Sequence, residues 1–320
     1  MKRTVEHEVK LEADEAVDLE RLGGLLRAVD VPSAQRATDV SGALGRLREM
    51  FREQLLELLR NDPVVRVASD SDAVHDMRVA VRRLRSVLRT ARPMLRRQWG
   101  DALRSELDWL AQPLGAVRDL DVFVGYVESE TRELGLDASR GERLLRPLKA
   151  ERERARERLR ATLEEPRYYR LLDAIEAAAD APRARRTDLS VEKLARQEFR
   201  RFQKHVGRIS SMGDHELHKL RIHAKRARYA AELAEPIQRR PAARLIKAAK
   251  ELQDILGEHQ DAVVAAERLR RLALTADGQG AALAAGRLIE RQELRKVRAR
   301  DQAPDALRRM KRRGRKAWPA

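Results

Sequence analysis

Histidine and arginine recur at regular intervals in one stretch of the sequence, in a pattern suited to binding anions. His75 is followed by Arg78, Arg82, Arg85 and Arg89 at spacings of three or four residues. Side chains at these spacings share one face of an α-helix, so they would form a cationic row about 21 Å long. Like charges in such a row repel one another, and no acidic residue occupies it. We therefore expect an external anion to neutralise the row.

The same pattern returns 143 residues later, where His218, Arg221, Lys225 and Arg228 occupy the matching positions. Arg83 and Arg226 flank the two rows at equivalent places. Arginine offers a planar fork to phosphate oxygens, lysine a point charge, and histidine a donor that gains charge beside an anion. A merely solvated basic face has no reason to recur in register. The repeat thus predicts two equivalent anion-binding faces, which suit a long phosphate polymer better than a single phosphate.

A second motif follows each row and also recurs. Leu114-Gly115 precedes Arg118 and Asp119, and Leu256-Gly257 precedes Asp261. We interpret the glycines as helix C-terminal residues and the aspartates as caps of the next helices. Arg118 is a further candidate for anion binding. Two motifs in the same order indicate a duplicated unit of about four helices.

The elements that carry these motifs are predicted to be helices throughout, since apolar residues recur every three to four positions and β-branched residues are sparse. One helix is expected at 43–60, ended by Asn61-Asp62-Pro63, and the histidine helix at 72–92, capped by Asp72. Other helices are predicted at about 95–114, 119–134, 139–163, 167–179, 190–207, 214–234, 241–256, 261–273 and 280–300. Breaks are expected at Gly115, Gly135, Pro166, Ala181-Pro182, Gly213, Pro236 and Gly257.

Composition limits the possible functions. The 320 residues include 68 Lys plus Arg against 51 Asp plus Glu, a formal charge of +17. The absence of cysteine excludes disulfides, a cysteine nucleophile and thiolate metal sites. Aromatic residues make up only 3%, which argues against recognition of nucleic acid by base stacking. No apolar run approaches the roughly 18 residues of a membrane span, so we expect a soluble cytoplasmic protein with no membrane contact.

The two ends of the chain differ from this helical body. Residues 1–35 hold five basic and eight acidic side chains, and Thr4 to Leu11 alternates as a β-strand does. From about Leu307 the sequence becomes a run of basic residues with little to bury, and we predict a flexible tail over 307–320.

The repeated motifs resemble those of the conserved histidine α-helical domain, or CHAD, family over about residues 39–300. The resemblance implies an all-α fold of two pseudo-twofold-related four-helix bundles, preceded here by the short strand-like segment. It also implies that a basic central surface binds inorganic polyphosphate. We place the domain at 37–306, with halves at about 37–165 and 166–306. The match assigns anion binding to His75, Arg78, Arg82, Arg83, Arg85, His218, Arg221, Lys225, Arg226 and Arg228. The spacing adds Arg89 to this set, and the place of Arg118 in the second motif adds that residue. Arg196, Arg200 and Lys204 are further candidates on the helix before the second histidine motif.

Glu6, Glu8 and Lys10 resemble the start of a CYTH, or triphosphate-tunnel, domain, in which glutamates hold a divalent metal and lysine contacts triphosphate. Such a tunnel needs a closed barrel of many strands, and fewer than 35 residues separate this motif from the helical body. A lone strand has unpaired edges and cannot enclose a metal site. We interpret residues 1–36 as a vestigial or truncated remnant without triphosphatase activity.

Three functions fit these observations. The first is a non-catalytic polyphosphate-binding protein, whose binding would target it to polyphosphate granules. The second is a nucleic-acid-binding protein that uses the same basic surface, because DNA and RNA are also regular polyanions. The third is an enzyme that uses His75 or His218 in phosphotransfer, although no orienting partner for either histidine is evident. The histidine spacings form no metal-site signature, so we predict no metal and no cofactor.

Overall fold

Helices account for most of the residues that the structure, a computed structural model, describes, namely 43–68, 70–133, 138–185, 191–275 and 279–319. The predicted all-α fold class is confirmed for this part of the chain. The helices are α1 (Ala43–Val67), α2 (Ser71–Ala91), α3 (Arg97–Glu133), α4 (Ala138–Glu164), α5 (Pro166–Asp180), α6 (Val191–Lys204), α7 (Asp214–Thr275) and α8 (Gln279–Ala317). Residues 1–36, with the predicted strand and Glu6, Glu8 and Lys10, lie outside the described residues.

Helix α1 continues past Asn61-Asp62-Pro63, so the predicted end at residue 60 is wrong. Proline removes one backbone hydrogen-bond donor inside the helix. Hydrogen bonds from nearby polar side chains keep the helix intact. Asn61 Nδ2 donates to the carbonyl of Glu57 at 2.8 Å, and buried Asp62 accepts from Arg66 Nε at 2.9 Å. Arg66 also donates to the carbonyl of Leu163, which ties the end of α1 to α4.

Helix α2 begins one residue earlier than predicted, and its cap is Asp70 rather than Asp72. The Asp70 carboxylate accepts from the backbone N–H groups of Asp72 and Ala73, at 2.7 and 3.3 Å. Asp72 lies in the first turn, where its negative charge interacts favourably with the helix dipole.

The predicted breaks at Gly115 and Gly257 are wrong, because α3 and α7 run through them. Asp119 and Asp261 therefore lie inside helices and do not cap them. Helix α7 is instead kinked at Arg239, whose φ of 37° is left-handed, close to the break predicted at Pro236. Arg239 matches residue 96 at the repeat spacing of 143, so the second half has a kink where the first has the linker between α2 and α3.

The duplicated units pack into one molecule with a shared core. Helices α1 to α4 form the first unit, and α6, the two arms of α7 and α8 form the second. Helix α5 packs against α1 and α3, so its contacts join it to the first unit although the predicted boundary fell at residue 166. Helix α2 packs against α7, and the main apolar cluster contains residues of both, such as Leu84 and Leu220. This packing brings the two histidine helices together.

The predicted flexible tail over 307–320 is wrong for its described part. Helix α8 continues to Ala317, and Leu307, Met310 and Trp318 are buried. Gly314 lies so close to Phe199 of α6 that a side chain there would collide with the ring. Apolar residues lie between the basic residues of this segment. In a helix they share one face, and that face packs against the rest of the domain.

None of the described helices combines the length with the apolar character that crossing a membrane requires.

Candidate functional site

The orientation of the cationic rows follows from the apolar residues beside them. On α2 the predicted stripe of Val74, Met77, Val81, Leu84 and Leu88 is buried. On α7 the matching stripe of Leu217, Leu220, Ala224 and Ala227 is buried as well. Each helix is held by its apolar stripe, at roughly 1.5–3 kcal/mol for each fully buried large side chain. The basic residues next to the stripes are thereby brought to the junction between α2 and α7.

Lys225 and Arg82 occupy the centre of this junction, and both are partly buried. The pKa of Lys225 is lowered to about 7, first by burial and then by repulsion from Arg82, Arg221, Arg228 and Arg78. The pKa of Arg82 is also lowered by burial, with Arg78, Arg221 and Arg228 contributing repulsion. Cations from both rows are therefore close enough to destabilise one another's charge. We call Arg78, Arg82, Arg221, Lys225 and Arg228 the central surface.

Each row contains one arginine that is held by the second repeated motif. The Arg78 guanidinium lies against Gly115, where an added Cβ would stand 2.5 Å from Nη1, and Arg78 pairs with Asp119 at 3.1 Å. Arg221 lies against Gly257 in the same way, with its Nη2 3.4 Å from the position of a Cβ. The glycines thus make room for an arginine from the neighbouring helix segment. The sequence signal for this contact was the recurrence of both motifs in the same order, with each arginine 36 or 37 residues before its glycine.

Carboxylates from outside the rows pair with some of the cations, which the sequence analysis missed. Asp108 of α3 pairs with Arg85, and Glu232 of α7 lies 3.6 Å from Arg228. With Asp119, these carboxylates neutralise part of the site. They leave Arg82 and Lys225 without a carboxylate within 4 Å among the described residues, and Arg82 Nε is buried with no hydrogen-bond partner there.

The two leading histidines lie beside the central surface. The pKa of His75 is lowered by burial and by Arg118 and Arg82, while Asp76 and Asp72 oppose the change. Arg118 donates to the carbonyl of Ser71 at 3.3 Å, which places it at the start of α2, near His75. His218 is partly buried, and its Nδ1 has no hydrogen-bond partner among the described residues. Both histidines can therefore offer a ring N–H to an anion.

Arg89 and Arg226 lie away from the centre, in a cavity of about 380 Å³ between α2, α3, α6 and α7. We call this cavity the arginine pocket, and its lining is Arg89, Thr90, Arg92, Arg104, Glu198, Arg201 and Arg226. The pKa of Arg89 is lowered by burial and by Arg104, Arg226 and Arg85. Helix α6 contributes Arg201 to this lining, rather than the predicted Arg196, Arg200 or Lys204.

Arg83 is separated from the other predicted residues. It is exposed and lines a recess with Glu53, Gln54, Glu57 and Asp76, which lies between α1 and α2. The structure therefore surrounds Arg83 with carboxylates instead of cations. We do not include it in the central surface.

Nothing in the described part of the chain is arranged as a metal site, since it contains no group of three or more His, Asp or Glu side chains that could hold an ion. His259, which lies in the second motif, is buried and has a structural environment. Its Nε2 is 3.3 Å from Asp214 and accepts from Arg300 Nε at 3.3 Å, which links α7 to α8.

Comparison with known proteins identifies the family and the fold. The model of the CHAD domain family matches residues 49–270. The fold is similar to that of the CHAD domain from the plant Ricinus communis, with a TM-score of 0.64 and 27% identity, over 83% of this chain and 92% of that one. It is also similar to PptA from Streptomyces chartreusis, with a TM-score of 0.67 over 84% of this chain and 100% of that one. Identity to PptA is 21%, so that likeness concerns the fold alone.

Two curated relatives from Mycobacterium tuberculosis strains, the uncharacterized proteins MT2285 and Rv2226, are each 32% identical over 278 residues. The match covers 83% of this chain and 53% of theirs. The chain therefore spans about half the length of these relatives.

Proposed function

The chain belongs to the CHAD domain family, and on that premise we propose that it binds inorganic polyphosphate and is not an enzyme. The proposal depends on one observation. Arg82 and Lys225 are partly buried cations, one from each repeat, and they lie near each other and near three more arginines. Desolvated like charges are unfavourable unless a counter-charge is supplied. A flexible polyanion supplies many such charges along both rows at once.

Binding of this kind has a characteristic dependence on salt. A polyanion that is neutralised by lysine and arginine releases its counterions, so its affinity falls steeply as the salt concentration rises. We expect the affinity for long-chain polyphosphate to fall in this way. Duplex DNA is the natural competitor. We expect it to displace polyphosphate poorly at equal phosphate concentration, because Arg82 and Lys225 are partly buried and a stiff duplex adapts to such cations less readily than a flexible chain.

Charge reversal at the centre tests the proposal. We expect Arg82→Glu combined with Lys225→Glu to weaken binding of labelled long-chain polyphosphate by about a hundredfold or more, since each charged contact contributes about 1.5–3 kcal/mol. The matched control is Arg158→Glu with Lys316→Glu, which changes the net charge equally at exposed positions on α4 and α8. Circular dichroism checks that the helices persist, and the Arg82→Gln, Lys225→Gln pair provides a milder version. Wild-type affinity in a folded central variant would refute the proposal.

The absence of catalysis is part of the same proposal. The histidines lie next to arginines that hold an anion, and we assign them the role of hydrogen-bond donors. We expect no phosphate release from tripolyphosphate with magnesium or manganese, and no phosphohistidine at His75 or His218 after incubation with polyphosphate. Detection of either product would show that the protein is an enzyme.

In cells, we propose that the central surface directs the protein to polyphosphate granules. A fluorescent fusion should concentrate on granules, and the fusion that carries Arg82→Glu and Lys225→Glu should stay diffuse. Granule association of the charge-reversed fusion would mean that another surface directs it.

A further inference from the structure

The internal repeat makes the central surface nearly symmetric, but the residues at its two ends differ in charge. At the spacing of 143 residues, Arg89 at the end of the α2 row corresponds to Glu232 at the end of the α7 row. Arg226, which lies near Arg89, corresponds to Arg83, which lies near Glu232. One end of the surface thus pairs arginine with arginine, and the other pairs arginine with glutamate.

Helices α1 and α6 extend this difference. Their buried positions match at a spacing of 144 residues, as Phe51 with Ala195 and Leu58 with Phe202 show. At that spacing Arg201 of the arginine pocket corresponds to Glu57, which lines the recess around Arg83. The arginine pocket and this recess are therefore equivalent places in the two repeats. The first is basic and the second is rich in carboxylates.

The arginine pocket has more positive charge than its own carboxylates can neutralise. Glu198 pairs with Arg201, Asp108 lies 3.8 Å from Arg104, and Asp101 pairs with Arg92 at 2.8 Å. Arg89 and Arg226 have no carboxylate within 4 Å among the described residues. Arg226 Nε is also buried and has no hydrogen-bond partner there. The charges of Arg89 and Arg226 are therefore available to bind an anion.

The pocket is also continuous with the central surface and extends beyond it. Arg82 and Arg89 are two turns apart on α2, about 10 Å along the helix. Arg85 lies between them, and its charge acts on Arg89. Beyond Arg89, a second cavity of about 350 Å³ shares Arg89, Arg92 and Arg201 and adds Arg97 and Arg185. A chain of several phosphates can span this distance, whereas a pyrophosphate cannot.

We propose that the arginine pocket is a one-sided extension of the polyphosphate site, so that a bound chain leaves the central surface over α6 and not over the carboxylates near Arg83. The inference rests on the proposed function and specifies the ligand further. It makes the protein selective for chains long enough to reach from Lys225 to Arg201, and it gives the bound chain one preferred exit.

Exchanging the charges of the two ends tests this inference. Arg89→Glu with Arg201→Glu gives the pocket the charges of the opposite end at two exposed positions. Because Arg201 also pairs with buried Glu198, circular dichroism and thermal unfolding check that the fold persists, and Arg89→Glu alone provides a version that keeps this pair. We expect this pair to weaken long-chain polyphosphate binding about tenfold, a 1.4 kcal/mol effect, with little change for tripolyphosphate. Glu57→Arg with Glu232→Arg should leave long-chain binding as strong or strengthen it. Arg158→Glu with Lys316→Glu again matches the change in net charge.

The outcomes separate the inference from the proposed function. If the wild-type protein binds no polyphosphate, the proposed function fails. If the wild type binds polyphosphate and the pocket variant loses the same affinity for tripolyphosphate as for long chains, the inference is overturned. It is also overturned if the pocket variant loses no more affinity than the matched control. A loss confined to long chains supports the one-sided extension.

Discussion

Lys225 is the residue at which burial and repulsion most strongly change a charge in the site. Four arginines surround its ammonium group, and its pKa of about 7 means that it is only partly charged near neutral pH. An anion favours the charged form, so binding should draw a proton from solution. The same lysine thus couples ligand binding to pH.

Raising the pH from 7 to 9 should weaken the binding of long-chain polyphosphate by up to about tenfold for each unit, because Lys225 must be protonated at increasing cost. Internal phosphates of the chain are already ionised in this range, so they contribute little change. Calorimetry in buffers of different ionisation enthalpy should detect proton uptake on binding at pH 7.5. Lys225→Arg, which stays charged, should show neither the pH dependence nor the uptake.

Raising the pH should increase the stability of the free protein, although it weakens polyphosphate binding. The folded-state pKa of Lys225 is lowered from 10.5 to about 7, so the unfolded chain binds more protons between these values. The contribution of Lys225 to the free energy of unfolding therefore rises as the pH increases from about 7 towards 10.5. Denaturant unfolding of the wild type and of Lys225→Met at pH 7 and pH 9 measures it. An equal change in both proteins would contradict the assignment to Lys225.

At the scale of elements, two helices carry a glycine where a neighbouring arginine needs space. Gly115 lies inside α3 and Gly257 inside α7, and neither has a turn to form. Glycine inside a helix usually costs about 1 kcal/mol relative to alanine. Here the missing Cβ lets Arg78 and Arg221 lie against the adjoining helix, which positions both rows.

Gly115→Ala should therefore separate stability from binding. The new Cβ would force the Arg78 guanidinium away from Asp119, while the helix gains up to about 1 kcal/mol from alanine. We expect an unchanged or higher melting temperature and polyphosphate affinity about three- to tenfold lower, from one altered charged contact. Gly257→Ala should act less strongly, since its Cβ would stand 3.4 Å from Arg221.

Gly125→Ala is the control on the same helix, because a Cβ there meets nothing within 4 Å. It should raise stability without affecting binding. Equal affinity of Gly115→Ala and Gly125→Ala would show that Arg78 does not depend on the glycine for its position.

At the scale of the whole molecule, the end of α8 closes the second unit. Its buried residues reach α6 through the contact of Gly314 with Phe199, and α6 carries Arg201 of the arginine pocket. The core is continuous across both units, so damage at this end should affect the fold as a whole.

Removing residues 307–320 should thus lower stability, whereas removal of a flexible tail would not. The truncation deletes buried Met310 and Trp318, and losses of such side chains typically cost about 2–5 kcal/mol each. Thermal unfolding measures the effect. Arg312→Gln with Lys316→Gln, which changes only exposed charges of the segment, should leave the melting temperature nearly unchanged; an undiminished melting temperature in the truncated protein would contradict the packing.

The sequence by itself determined the helical class, the duplication and the residues of the two rows, because periodic spacing decides which side chains share a helix face. The buried stripes of α2 and α7 confirm this at every predicted position. The same local reasoning failed at Gly115, Pro63 and Leu307. At each of these, a partner distant in sequence or a local side-chain bond overrides the ordinary preference of the residue.

Only the tertiary structure decided which charges meet. That Arg82 faces Lys225, that Asp108 pairs with Arg85 and that Arg83 lies among carboxylates all depend on how separate helices pack. Electrostatic energy depends on distance and burial, and neither can be read from spacing along one helix. The repeat predicted two equivalent rows whose ends differ in sequence at Arg89 and Glu232. The packing of α1 and α6 placed Glu57 and Arg201 beside these ends and so enlarged the difference.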